Sequence, residues 1–123
     1  DMLVIIPDEK TAVRPIGLAL EKRHGISVVL VSREIIDGPM DKKSLPASLV
    51  AKLEAYRTSP LVIVDESTSK YATMRKLSDL IWEVLERDPD MRVTILDLPK
   101  GNEPRPEKFV SIYGWTPIER ESS

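Results

Sequence analysis

Two acidic residues follow two short apolar runs. Leu3-Val4-Ile5-Ile6 leads into Pro7-Asp8-Glu9, and Leu61-Val62-Ile63-Val64 leads into Asp65-Glu66-Ser67. Short β-branched runs backed by helical patterns predict buried parallel strands. Ligands of such sheets bind beyond the carboxyl ends of the strands. Asp8 and Asp65 are therefore expected to share one rim, a candidate site for a metal, a phosphate or a partner. Oxygen ligands in that place suit a hard cation such as Mg²⁺. Acids just ahead of a helix also stabilise its N-terminus, which is the competing reading. Asp97, past a fourth apolar run, is a third candidate metal ligand. Three acids on one rim would raise their pKa values and favour a cation.

Asp65-Glu66-Ser67-Thr68-Ser69 offers a second site. Ser67, Thr68 or Ser69 suits the cap of a following helix. Backbone amides and hydroxyls at such an N-terminus could also hold an anion or small ligand. The Asp-x-Ser-x-Ser spacing resembles the metal-ion-dependent adhesion motif of von Willebrand factor A-type domains. That likeness implies a divalent cation on Asp65, Ser67 and Ser69. Too little chain follows for that fold, and the helix cap is the favoured reading. His24, the single histidine, sits beside Gly25 at a helix end, where a cation complements the dipole. It has no nucleophile motif to serve. Lys42-Lys43 and the group Lys100, Arg105 and Lys108 read as solvated surface. Tyr113 and Trp115 suit either packing under the last loop or anchoring a partner. Ile81 and Trp82, adjacent on the longest helix, suggest a second apolar stripe suited to self-association. Neither a Gly-x-Gly-x-x-Gly nor a P-loop pattern is present.

The elements that must position these residues alternate. Strands are predicted near 2–6, 26–31, 61–64, 91–96 and 109–113. Helices are predicted near 11–23, 44–56 and 69–87. Gly25 is the expected stop of the first helix, Ser44 the cap of the second, and Asp88-Pro89-Asp90 the end of the third. The segment 32–44 reads as irregular, with Gly38-Pro39 as a turn. Such alternation predicts an α/β fold in three layers around a mainly parallel five-stranded sheet. Right-handed crossovers leave few topologies. A flavodoxin-like order 2-1-3-4-5 makes the strands of Asp8 and Asp65 neighbours. The fifth strand lacks a helical crossover before it, so its direction stays open.

The 123 residues suggest one α/β domain over 1–123, which a longer protein could contain, since the chain opens on Asp1. With 18 basic against 20 acidic residues, there is no electrostatic case for nucleic acid or an anionic membrane. The absence of cysteine excludes disulfides and thiolate chemistry. No apolar run approaches the roughly 20 residues that span a bilayer. The opening lacks the layout of a signal peptide, and a cytoplasmic location is the expectation.

The stretch Leu3-Val4-Ile5-Ile6-Pro7-Asp8-Glu9-Lys10-Thr11-Ala12-Val13-Arg14 resembles the opening of a response-regulator receiver domain. Pro60-Leu61-Val62-Ile63-Val64-Asp65 is similar to the strand that carries the phosphorylated Asp of that family. Residues 86–96 resemble its helix end and fourth strand. The likeness spans about the first 98 residues, and the chain departs from it at decisive points. Pro7 replaces the first of two acids, Asp97 stands where the fourth strand of a receiver ends in Ser or Thr, and Gly114-Trp115-Thr116-Pro117 has no Lys. Phosphoryl transfer to Asp needs a metal and a cation for the developing charge. The resemblance therefore implies a degenerate receiver, a regulatory or protein-interaction module with a protein partner or a second copy, and no cofactor. A Mg²⁺-dependent phosphoester enzyme using Asp8, Asp65 and Asp97 is the alternative, and an anion or small-ligand sensor at Ser67–Ser69 a third.

Overall fold

The computed structural model describes residues 1–8, 13–68, 72–97 and 108–114. Strands β1 (Leu3–Asp8), β2 (Ser27–Ser32), β3 (Leu61–Thr68), β4 (Met91–Asp97) and β5 (Phe109–Gly114) alternate with helices α1 (Val13–His24), α2 (Arg33–Asp37), α3 (Ala47–Ala55) and α4 (Ala72–Leu85). The fold is α/β with a parallel sheet. Its order is β2-β1-β3-β4, with β5 beside β4. Each pairing is parallel, including that of β4 with β5.

Alternation along the strands sorts the core into two faces. Leu3, Ile5, Leu61 and Ile63 share one cluster with Leu53 of α3 and Met74, Leu77 and Ile81 of α4. Val4, Ile6 and Val64 form the other, with Leu20 of α1 packed against it. α4 buries one side fully because its apolar residues recur at helical spacing. α1 lies close to the sheet because Gly17 has no side chain. A Cβ there would come within 2.7 Å of Ile6 Cδ1. Gly25, at φ +64°, ends α1 as expected.

Three elements differ from expectation. α2 occupies a stretch expected to be irregular. Ser32 Oγ accepts a hydrogen bond from the Ile35 amide, which caps the helix, and Ile36 is buried. α3 is preceded by Pro46 with no side-chain cap, while Ser44 closes a turn onto the Asp41 carbonyl. β3 does not stop at Val64. It runs on to Thr68, with Ser67 opposite Leu96 and Thr68 opposite Asp97.

Pairing between β1 and β3 covers Leu3↔Leu61, Val4↔Val62 and Ile5↔Ile63. It ends just before Pro7, which has no N–H for a ladder. At the opposite end Arg87 ties the connections together. Its guanidinium donates to the Arg57 and Ser59 carbonyls at 2.6 and 3.0 Å and to Asp90 Oδ2 at 2.6 Å. The same Asp90 oxygen accepts from the Leu61 amide at 2.8 Å. Among the described residues no helix is long and apolar enough to cross a membrane.

Candidate functional site

Asp8 and Asp65 do stand on neighbouring, co-directional strands. Their side chains nevertheless belong to opposite faces. Asp8 shares the parity of Val4 and Ile6 and meets α1 (Arg14 Nε lies 3.4 Å from its Oδ1). That contact lacks hydrogen-bond alignment, so the buried Oδ1 has no hydrogen-bond partner among the described residues. Asp65 shares the parity of Leu61 and Ile63, on the side of α4, and is 6% exposed. Because β3 continues past it, Asp65 sits inside the sheet rather than at its rim.

The neighbour that the register gives Asp65 is Thr94 of β4, which is fully buried. Thr94 is in turn level with Ser111 of β5. Two residues earlier on β4, Arg92 donates from Nε to Ser78 Oγ at 3.0 Å, and Ser78 Oγ donates to the Met74 carbonyl at 2.9 Å. Asp65, Thr94, Arg92 and Ser78 thus form a polar strip beneath α4. Thr94 was not singled out in the sequence; the signal that could have found it is its place at the middle of an otherwise apolar strand. Burying polar groups costs unless they are bonded, so such a strip fixes how α4 seats on the sheet.

Asp97 ends β4, paired with Thr68 and Gly114. It lies three residues past the level of Asp65, about 10 Å along the strand. Among the described residues no group of three or more acidic, His or Cys side chains is placed to hold a metal ion. Ser67 and Thr68 are strand positions, not the first turn of α4. Tyr113 is a strand position of β5. Ser69 and Trp115 lie outside the described residues, as do Lys100 and Arg105. His24 is the last residue of α1, in a turn shared with Lys22 and Arg23. The second apolar stripe of α4 is not formed. Ile81 is fully buried, while Trp82, 54% exposed, stands apart from it.

A concavity lies elsewhere. A cleft of about 410 Å³ runs along β2, floored by Val28, Val29 and Leu30. Leu18 and Glu21 of α1 wall it on one side, and Ile35, Leu49 and Lys52 of α2 and α3 on the other. Among the described residues β2 pairs only with β1, so its outer backbone edge faces this cleft. Ser27 Oγ and Tyr56 Oη share a hydrogen bond, and Nζ of Lys52, a lining residue, lies 5.9 Å from the Tyr56 ring. Asp37, the last residue of α2, is paired with Arg33 and with Lys76 of α4. Its carboxyl is held below the usual value first by a hydrogen bond from Lys76 and then by Arg33.

Comparison with protein-family models and with curated proteins found no match for this chain.

Proposed function

We propose that this chain is a receiver-like regulatory or protein-interaction module of flavodoxin-like architecture, without catalysis of its own. The observation that carries the reading is the separation of Asp8 from Asp65 by the thickness of the sheet. A cation on one face cannot draw on both carboxylates, and hard cations need several oxygen ligands at about 2.0–2.6 Å. Arg14 partly neutralises Asp8, and Asp65 is sheltered beneath α4 beside Thr94. The cleft along β2 provides a surface through which such a module acts by contact.

The test is direct. Intact-mass measurement after incubation with acetyl phosphate and Mg²⁺ is expected to show the unmodified chain, and calorimetric titration with Mg²⁺ or Mn²⁺ to show no saturable binding. Stoichiometric phosphorylation of Asp65, or saturable metal binding that is lost in Asp65→Asn, would sink the proposal and favour the metal-dependent phosphoester enzyme.

A further inference from the structure

We infer that the β2 edge is the contact by which two copies of this chain join, antiparallel, into one continuous sheet. The inference rests on the reading of a contact module and names its partner. Edge strands are usually protected by charge, proline or a bulge. Ser27-Val28-Val29-Leu30-Val31-Ser32 carries neither charge nor proline, and it pairs with β1 in unbroken register over all six residues. Among the described residues its other side has no strand partner.

The geometry suits a second copy. An antiparallel register centred on Val29 sets Val28 against Leu30 of the other copy and keeps both sheet faces matched. α1 packs chiefly on β1 and β2 and touches β3 less, so its axis lies between β1 and β2, nearer β1. With strands about 4.8 Å apart, the two α1 helices would then run about 10–12 Å from one another, close to the 8–10 Å range of packed helices and within reach of long side chains. The faces they present are self-complementary. Arg14, Leu18 and Glu21 recur at helical spacing along one exposed side of α1, and Leu18 and Glu21 of this set line the cleft. Leu18, 47% exposed, is at the middle of α1, next to Gly17, whose Cβ position lies 3.4 Å from Val28 Cγ1 of β2. A two-fold axis there brings Leu18 against its own copy and sets Glu21 of each chain toward Arg14 of the other, whose guanidinium also stands 3.4 Å from Asp8 of its own chain. Lys22 lies a further 100° round the helix. The contact is isologous and closes at two copies.

Light scattering and sedimentation of the whole chain, over a dilution series from about 0.1 mM, test this. The expected mass at the upper end is twice the 13.9 kDa of one chain, falling toward one chain on dilution. Leu18→Glu and Glu21→Arg should each leave a single chain throughout, with circular dichroism unchanged. Arg14→Glu combined with Glu21→Arg should restore the dimer. The chain has no cysteine, so Leu18→Cys introduces one thiol, and mild oxidation should give a covalent dimer. A wild-type chain that stays single throughout overturns the inference, as does a dimer indifferent to both single variants. Neither result touches the non-catalytic reading, which is judged by phosphoryl labelling and metal titration.

Discussion

Gly17→Ala is a sensitive probe of how α1 is seated. In an ordinary helix interior the change stabilises by about 1 kcal/mol, because alanine has less backbone freedom to lose. Here the added methyl would stand 2.7 Å from Ile6 Cδ1 and 3.4 Å from Val28 Cγ1. Ile6 is fully buried, so its end methyl cannot swing into solvent. Overpacking of this kind costs about 1–3 kcal/mol. The net expectation is a loss of about 1 kcal/mol and a Tm lower by about 4 °C. Ile6→Val removes the offending methyl, at about 1 kcal/mol on its own. In the double variant the clash is gone and the helix gain remains, so it should be more stable than Ile6→Val alone. The two changes should thus couple by about 2 kcal/mol. Urea unfolding of the four proteins followed by circular dichroism supplies every corner of the cycle. A Gly17→Ala chain more stable than wild type, with no coupling to Ile6→Val, would refute the close approach of α1 to the sheet. The helix spacing used for the paired chains would fall with it.

Further outcomes concern the two ends of the sheet. Asp90→Ala should cost about 1–3 kcal/mol in urea unfolding, because the Leu61 amide and Arg87 both lose their acceptor. Arg87→Lys should recover only part of the wild-type stability, since an ammonium cannot hold two carbonyls and a carboxylate in the geometry of the guanidinium. Asp37 has a folded pKa below its usual 3.8, so its contribution is whole above that value and is lost as the pH falls through the folded one. Thermal melts between pH 5 and pH 2 should therefore show the difference between wild type and Asp37→Asn shrinking as acid is added. A difference that widens toward low pH would contradict the bonds to Lys76 and Arg33.

The strand cores were legible because each is a short β-branched run, and a parallel sheet asks for nothing more. The order that places β1 beside β3 followed from the alternation and the handedness of crossovers. The face of each acid was not legible in the same way. Asp8 falls two residues after Ile6, and Asp65 falls one after Val64, so a side depends on register, which only pairing with a neighbour defines. α2 escaped notice because Ser32 ends a strand and caps a helix at once. The polar tail Asp65-Glu66-Ser67-Thr68 reads as a loop or cap by composition, yet β4 extends beside it and supplies backbone partners that local propensity does not record. The cleft was implicit in the strand order, since the second strand in sequence is outermost, but its walls come from α1 and α3, whose height above the sheet no pattern of letters conveys.

The clasp of Arg87 and Asp90 joins the turns at the amino ends of β3 and β4, on the side away from the strand-end acids. The clasp braces β3 and β4 from the end opposite Asp8 and Asp97. Exchanging Asp8 or Asp97 leaves every bond of the clasp in place, so the two turns stay joined whatever those acids become.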